Sequence, residues 1–244
     1  MYIEEFIVVI PARMASSRLP NKPLIKILGK SLIERTWNQV IKAVDKSKVF
    51  VLTDDIEILN HCNNLNINVV ITSDKCLTGT DRIAEFALNF QAKYYINVQG
   101  DEPLVNPEDI LKVIDCIKNE ENLIINGYAK ISKLEDYFSP NIPKVVFRED
   151  NRLLYMSRSP IPGNKKKTFS ESFRQVCIYG FPYKALIDFS SRSTKTFFEN
   201  IEDIEILRFL ELGYDVKMVE LSADSISVDV KEDIDKVIAK LNEK

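Results

Sequence analysis

Histidine is nearly absent from this chain, and glycine and tryptophan are scarce. The 244 residues include one histidine, seven glycines and one tryptophan. A single imidazole excludes a histidine-rich metal centre, and a Ser-His-Asp or Cys-His mechanism would have to use His61. Because His61 lies in a helix-like stretch, we expect it to be a helix-surface or capping residue.

The chain also lacks an excess of one sign of charge. Lys and Arg number 33 and Asp and Glu number 36, which gives a net charge of −3. Without a cationic excess, the chain is a poor candidate for a non-specific nucleic-acid-binding protein. Hydrophobic residues make up 45% and charged residues 28%, which is ordinary for a globular protein.

Cysteine motifs, a signal sequence and long apolar runs are missing as well. Cys62, Cys76, Cys116 and Cys177 form no CxxC pair, so we expect free thiols in a reducing compartment rather than a zinc ribbon. The start, Met1–Glu5, has no basic segment, and no apolar run approaches the roughly 20 residues of a membrane span. These features predict a cytoplasmic protein.

Apolar runs and helical patterns alternate over the first 120 residues. Residues 6–10 form a β-branched run that ends at Pro11, which is typical of a buried parallel strand. The alternation predicts a parallel sheet in a doubly wound α/β fold. The further predicted strands are 49–52, 67–71 and 94–98, and the predicted helices are 32–44, 81–90 and 107–117.

The pattern changes after residue 120. Four strand-like runs crowd together, which predicts an antiparallel or mixed extension of the sheet; they are 123–131, 144–147, 153–156 and 176–179. The remaining predicted elements are helices at 201–212 and 232–241 and strands at 216–221 and 226–230. Lys165–Lys167 is the only run of like charge, and we expect it in a solvated loop.

A basic loop follows the first predicted strand. Within Pro11–Leu24, three cations (Arg13, Arg18 and Lys22) lie at the carboxyl end of that strand, where open α/β sheets bind ligands. Two guanidinium groups and one ammonium group are suited to bind a polyphosphate. The alternative interpretation is a basic loop on the surface without a ligand. Because no glycine occurs before Gly29, the loop is neither a Walker A loop nor a dinucleotide fingerprint.

Two acidic segments are candidates for a metal site. Asp101 follows a buried strand within Asn97–Pro103, and Asp229 lies among apolar residues late in the chain. Such carboxylates can hold Mg²⁺ against a nucleotide phosphate, since hard cations prefer carboxylate, phosphate and water oxygens. A simple turn at Asp101 stays open as an alternative, as does an N-cap or an arginine partner for Asp229.

Two further segments place polar groups beside predicted elements. Leu77–Arg82 is a glycine turn that opens a helix, whose backbone amides can meet a base or a phosphate. Capping of that helix by Thr80 is the alternative, and the two roles are compatible. In Tyr155–Pro162, Arg158 follows a strand and is placed to bind a carboxylate.

Together these five segments resemble the 3-deoxy-manno-octulosonate cytidylyltransferase family, over about residues 6–240. The basic loop is shared with sugar nucleotidyltransferases broadly, whereas Asn97–Pro103, Pro140–Val146 and Ser157–Pro162 are more specific. The resemblance implies a Rossmann-like nucleotidyltransferase fold with a mostly parallel central sheet and an antiparallel or mixed extension. It implies one domain over 1–244, in which about 123–200 carries the sugar site and a dimerisation insertion.

The resemblance also implies an activity. A homodimer would convert CTP and a 3-deoxy-2-ulosonic acid to CMP-sugar and pyrophosphate with Mg²⁺, for lipopolysaccharide or a related surface glycan. The implied nucleotide and metal residues are Arg13, Arg18 and Lys22 on the CTP phosphates, Thr78, Gly79 and Arg82 at the cytosine, and Asp101 and Asp229 on Mg²⁺. The implied sugar residues are Gln99, Arg158 on the carboxylate, Gln175, Tyr179, Glu202 and Glu205. Arg13, Lys22, Asp101 and Asp229 are the implied catalytic set.

Two positions depart from the family pattern. Gln175 replaces the usual histidine, and Ile206 replaces a glutamine. Gln exchanges hydrogen bonds with a hydroxyl but does not titrate near neutral pH, and Ile forms no side-chain hydrogen bond. The sugar therefore stays open between KDO (3-deoxy-manno-octulosonate), an 8-amino-KDO and a sialic-like ulosonic acid. A non-catalytic nucleotide-binding protein is the rival from another class, disfavoured by the intact metal and phosphate motifs.

Overall fold

The computed structural model describes residues 4–14, 18–120, 122–166, 168–169 and 171–243. The strands are β1 (Glu4–Pro11), β2 (Lys26–Ile27), β3 (Lys30–Ser31), β4 (Val49–Thr53), β5 (Val69–Ile71), β6 (Ala92–Val98), β7 (Ile124–Lys130), β8 (Lys144–Phe147), β9 (Leu153–Ser157), β10 (Phe173–Pro182) and β11 (Val216–Glu220). The helices are α1 (Leu32–Ala43), α2 (Ile56–Asn64), α3 (Gly79–Asn89), α4 (Pro107–Asn119), α5 (Leu134–Phe138), α6 (Tyr183–Ser190), α7 (Phe197–Glu202), α8 (Ile206–Glu211) and α9 (Lys231–Asn242).

A mixed sheet of nine strands forms the centre of the fold. Seven strands lie in the order β11-β7-β10-β6-β1-β4-β5, and β8 and β9 extend the sheet beside β10. β10 is antiparallel to both of its neighbours in this order, whereas the other adjacent pairs are parallel. The predicted fold class, a mostly parallel α/β sheet with an antiparallel extension, is confirmed.

Helices cover both faces of the sheet, which explains why its central strands are apolar on both sides. The last five residues of β1 are all buried. One face packs on α1 and α4 through residues such as Trp37 and Ile110, and the other packs on α3, α6 and α8 through residues such as Phe86 and Leu207. Strands that are buried on both faces appear in the sequence as continuous hydrophobic runs, and residues 6–10 are such a run.

Two predicted elements differ from the structure near the end of the chain. Residues 226–230 are not a strand: Val228 packs in a small cluster with Ile27 and Val237, and the segment leads into α9. Its apolar alternation reflects packing rather than strand pairing. The predicted helix 201–212 is two helices, because Asp203 adopts a left-handed φ of 50° between α7 and α8.

Smaller differences concern the other elements. Helices α5 and α6 and the short strands β2 and β3 were not predicted, β5 is shorter than 67–71, and β10 is longer than 176–179. Lys165 and Lys166 are exposed in a turn, while Lys167 lies outside the described residues. Within the described part of the chain, no helix is long and apolar enough to cross a membrane.

Candidate active site

A cavity of about 760 Å³ opens at the carboxyl ends of β1 and β6. This is the edge where open α/β sheets bind ligands. Ten of the predicted site residues line it: Arg13, Arg18, Lys22, Thr78, Gly79, Arg82, Gln99, Asp101, Glu205 and Asp229. The other four, Arg158, Gln175, Tyr179 and Glu202, are not among its lining residues.

The ends of β1 and β6 meet closely at Gly100. A Cβ atom at this position would lie 2.8 Å from the backbone oxygen of Pro11, so only glycine fits without displacement. The Gly100 carbonyl accepts a hydrogen bond of 3.1 Å from the Thr36 hydroxyl. These contacts fix the turn that carries Asp101 against the start of the basic loop.

The two predicted metal carboxylates converge on one lysine. Lys22 Nζ lies 2.6 Å from Asp101 Oδ2 and 3.2 Å from Asp229 Oδ1. Burial lowers the pKa of Lys22, but the two carboxylates outweigh burial and hold the pKa above its ordinary value. Arg18 adds a second cation, with Nη2 at 3.0 Å from Asp229 Oδ1 and Nη1 at 3.3 Å from Asn141 Oδ1.

A backbone hydrogen bond brings Asp229 to this place. The Val228 N–H donates to the Asp101 carbonyl at 3.0 Å, which ties the late segment to the β6 turn. The Asp233 carboxylate accepts from the backbone N–H groups of Asp229 and Val230 at the start of α9. Because Asp233 supplies this cap, the Asp229 carboxylate is left for Lys22 and Arg18.

The N-terminus of α3 forms the opposite wall of the cavity. Thr78 caps the helix by accepting from the Asp81 N–H, so the cap is Thr78 rather than Thr80. The Arg82 guanidinium is buried, with an ion pair of 3.1 Å to Asp54 and a hydrogen bond to the Thr72 hydroxyl. Arg82 therefore lines the cavity from a fixed position.

Glu205 reaches this helix from α8. Its carboxylate accepts from the backbone N–H of Gly79 at 3.3 Å and of Thr80 at 2.8 Å, and from the Thr80 hydroxyl. A carboxylate is stabilised at a helix N-terminus by the dipole of the helix. The residue that the resemblance places on the sugar thus also shapes the wall expected at the nucleobase.

A buried ion-pair network behind this wall was not predicted. Arg208 is fully buried and binds both carboxylate oxygens of Glu199 at 2.6 Å, and it also binds Asp81 at 2.9 Å. Asp81 accepts in turn from the Thr78 hydroxyl at 2.7 Å. Sequence spacing did not point to this network, because Arg208 is nine positions from Glu199 and 127 positions from Asp81.

Arg158 and Glu202 hold the β8–β9 region together. Arg158 donates to the backbone carbonyls of Glu202, Pro140 and Asp203 at 2.5, 3.0 and 2.9 Å. The Glu202 carboxylate accepts a hydrogen bond of 2.6 Å from the Ser157 hydroxyl and one of 2.9 Å from the backbone N–H of Arg158. Three of the five guanidinium donors of Arg158 bind these carbonyls, and Nη2 also lies 4.0 Å from the carboxylate of Asp203.

Gln175 and Tyr179 form a buried polar cluster with Asn126. Gln175 Nε2 donates to Asn126 Oδ1 at 3.0 Å and to the Tyr179 hydroxyl oxygen at 3.1 Å. Burial raises the pKa of Tyr179 well above its ordinary value, so its phenol stays neutral. Ile206 is 1% exposed in the apolar core.

Two buried titratable residues were missed as site neighbours. Lys144 is 0% exposed and donates to the carbonyls of Ser139 at 2.8 Å and Arg158 at 2.5 Å; burial and the Arg158 charge lower its pKa to about 8. Glu102 accepts from the Ser225 hydroxyl, and burial and the Asp101 charge raise its pKa to about 7. For Lys144 the available signal was its place between Pro143 and Val145, whereas Glu102 directly follows Asp101 and carried no such signal.

The single histidine binds the residue that caps a neighbouring helix. His61 Nε2 lies 2.8 Å from the hydroxyl of Ser31, which caps α1, and His61 does not line the cavity. His61 is in the last turn of α2. The structure therefore gives it a helix-end role, and we find no part for it in catalysis.

Asp101 and Asp229 fit a divalent cation of the magnesium type. Both carboxylate oxygens lie within 3.2 Å of one cationic nitrogen, so they are placed to face one positive centre. Among the described residues, no three side chains of His, Cys, Asp and Glu cluster as a complete metal cage. Mg²⁺ commonly takes one or two carboxylates together with substrate phosphates and water, which is the set this cavity offers.

Comparison with known proteins agrees with this geometry. Residues 7–221 match the cytidylyltransferase family. The chain is 36% identical to the 3-deoxy-manno-octulosonate cytidylyltransferase of Geotalea daltonii, covering 97% of this chain and 98% of that protein. It is 34% identical to the mitochondrial enzyme of the same name from Arabidopsis thaliana, covering 97% and 83%.

A solved structure shows the same arrangement of the chain. CMP:2-keto-3-deoxy-manno-octonic acid synthetase, complexed with CTP, superimposes with a TM-score of 0.90 at 30% identity, covering 98% of this chain and 99% of that one. HddC from Yersinia pseudotuberculosis matches with a TM-score of 0.72 at 16% identity, covering 99% of this chain and 100% of that one, which shows a shared fold alone.

Proposed function

This chain belongs to the cytidylyltransferase family, and we propose that it transfers the CMP group of CTP to the ulosonic acid KDO, with release of pyrophosphate. The observation that carries the proposal is the convergence of Lys22, Asp101 and Asp229 in one cavity. Cations for a triphosphate and carboxylates for a metal lie there together. The CMP-sugar would enter lipopolysaccharide or related surface glycan synthesis.

The reaction follows from the charges in the cavity. The anomeric hydroxyl of the sugar attacks the α-phosphorus of CTP in line, and the bond from that phosphorus to the bridging oxygen breaks. Arg13 and Lys22 bind the phosphates and neutralise the departing pyrophosphate, while Arg18 binds beside them. Most of the rate enhancement comes from positioning and charge neutralisation in a prebuilt site.

We propose Mg²⁺ as the cofactor, held by Asp101 and Asp229. When bound there, it would neutralise charge at the α-phosphate and lower the pKa of the attacking hydroxyl. The chain's own part is to present the two carboxylates from different segments, one after β6 and one before α9. With such an ion bound, the hydroxyl would be acidic enough to lose its proton to solvent without a histidine base.

The sugar acid would lie beside this centre. Gln99 lines the cavity after β6. Arg158 would bind the carboxylate of the acid through the two guanidinium donors that make no backbone hydrogen bond, in competition with Asp203 at 4.0 Å. Gln175 and Tyr179 would offer an amide and a hydroxyl to the sugar, whereas Asn126 would position Gln175, since its own amide donates to the Val176 and Ile178 carbonyls. Since Gln175 stands where the family has histidine, this cluster is where selectivity among ulosonic acids would differ.

We also propose a cytoplasmic homodimer. Helix α7 leaves Phe197 69% exposed and Ile201 63% exposed, and its Phe198 packs edge-on against Tyr155 of β9. An apolar surface of this kind is typical of a protein interface. All four cysteines are free thiols, as a reducing compartment would keep them. Light scattering at micromolar concentration tests the dimer directly.

The test of function is a substrate panel. The protein is incubated with CTP, Mg²⁺ and one acid at a time: KDO, 8-amino-KDO or a nine-carbon sialic acid. We expect pyrophosphate and CMP-sugar with KDO. If CTP binds and none of the acids yields pyrophosphate, the chain is a nucleotide-binding protein without this activity. The matched variant Gln175→His tests selectivity, and we expect it to change the ratio of kcat/KM between the acids.

A further inference from the structure

Lys22 contacts both carboxylates that the proposed metal would use. Its ammonium lies 2.6 Å from Asp101 and 3.2 Å from Asp229, and its side chain is only 16% exposed. The carboxylate side chains are 25% and 33% exposed. In the free protein, the point on which both carboxylates converge is therefore occupied by a cation from the chain itself.

This ammonium has a second role in the proposed function, because it also binds the CTP phosphates. A lysine has three donors, and the two carboxylates engage two of them. A triphosphate carries about four negative charges and competes with the carboxylates for Lys22. The flexible four-carbon stem lets the ammonium move between neighbouring anions while its backbone stays in place.

The competition works in both directions. While Lys22 binds both carboxylates and Arg18 binds Asp229, two positive charges offset the two negative ones, and a divalent cation meets the like charge of Lys22 where the carboxylates converge. When a polyphosphate draws Lys22 away, Asp101 regains its negative field, and Asp229 keeps only the charge of Arg18 beside it. An opposite charge within 4 Å is worth more near a protein surface than in bulk water, so this exchange has a large effect on cation affinity.

We propose that Lys22 is a positioning residue for Asp101 and Asp229, which it holds together in the free protein and shields from divalent cations until a polyphosphate draws it away. The inference rests on the proposed function, since it assumes that these carboxylates bind the metal. It makes nucleotide and metal binding mutually favourable. It also gives Lys22 a role before any reaction occurs.

The test measures Mn²⁺ binding without nucleotide, by loss of the free Mn²⁺ signal in electron paramagnetic resonance. Lys22→Met removes the charge and keeps the length of the stem. Lys26→Met is the matched control, because Lys26 is exposed on β2 and the same charge is lost away from the carboxylates. We expect Lys22→Met to bind Mn²⁺ at least about tenfold more tightly than the wild type, and Lys26→Met to bind as the wild type does.

The inference is overturned if Lys22→Met binds Mn²⁺ no more tightly than the wild type, or no more tightly than Lys26→Met. The double variant with Lys22→Met and Asp101→Asn should lose the gain in Mn²⁺ affinity. If the double variant keeps that gain, the Mn²⁺ binds elsewhere and the inference is again overturned. A thermal melt verifies folding, and Lys22→Gln repeats the comparison if Lys22→Met does not fold.

The substrate panel separates this result from the proposed function. Wild-type protein that forms CMP-sugar while Lys22→Met shows no gain in Mn²⁺ affinity leaves the function standing and removes the role of Lys22. A gain in Lys22→Met with no pyrophosphate from any acid removes the proposed reaction instead. Both measurements use the full chain.

Discussion

Thr80 donates two hydrogen bonds to the carboxylate of Glu205, one from its backbone N–H at 2.8 Å and one from its hydroxyl. The two residues are 125 positions apart in the chain. This contact makes the start of α8 part of the wall formed by α3, so the regions that the resemblance predicts for the nucleobase and the sugar share Glu205. A change at Glu205 should therefore affect both nucleotide binding and stability.

Glu205→Ala should destabilise the protein by about 1–2 kcal/mol and raise the KM for CTP. The reason is that the Gly79 and Thr80 N–H groups lose their acceptor. Glu205→Gln keeps one oxygen and loses the charge, and it should fall between alanine and wild type. Urea unfolding and initial rates measure the two effects. An unchanged KM for CTP in Glu205→Ala would show that this end of α3 does not contact the nucleotide.

Asp101→Asn and Asp229→Asn should each lower kcat/KM by about a hundredfold or more, because a lost metal carboxylate removes several kcal/mol of transition-state stabilisation. Pyrophosphate release under saturating Mg²⁺ measures the change. Asp224→Asn is the control, since Asp224 has a side chain 75% exposed. Near-wild-type turnover in Asp101→Asn would rule out its assignment as a metal ligand.

Gly100→Ala should destabilise the protein by about 1–3 kcal/mol and lower turnover. The added Cβ would lie 2.8 Å from the Pro11 oxygen, so the turn that carries Asp101 must shift. Gly163→Ala is the matched control, because the nearest atom to its added Cβ is 3.9 Å away. Equal loss of stability in both variants would show that the close approach at Gly100 does not hold the site.

The sequence allowed most of the cavity to be predicted, because strand ends meet at one edge of a parallel sheet. Arg13 and Asp101 each lie within three residues of the end of such a strand, and both line the cavity. The partners across the chain could not be predicted in the same way. That Asp229 meets Lys22, or that Glu205 meets Thr80, depends on how distant segments pack.

Apolar spacing was informative about burial and less so about element type. Residues 226–230 alternate as a strand would, yet Val228 is buried by packing against Ile27 and Val237. Lys144 shows the converse, since a charged residue is fully buried because backbone carbonyls accept its hydrogen bonds. Neither outcome follows from residue type alone, because both depend on the surface that the folded chain supplies.

The lowered pKa of Lys144 predicts that the stability of the protein changes with pH. Burial and the charge of Arg158 lower its folded pKa to about 8, against an ordinary value of 10.5. Between these values the unfolded chain binds more protons, so this residue makes the free energy of unfolding rise as pH increases from about 8 to 10.5. Below pH 8 both states are protonated, and the cost of the buried charge is constant.

Lys144→Met removes this contribution, so the stability of the wild type relative to the variant should rise by up to about 3 kcal/mol between pH 8 and 10.5. Urea unfolding at several pH values measures the difference. Lys133→Met is the control, since Lys133 is exposed before α5 and its loss should give a curve parallel to the wild type. A constant difference between wild type and Lys144→Met across this range would mean that Lys144 keeps an ordinary pKa. Its two carbonyl contacts would then outweigh the cost of burial and the nearby charge of Arg158.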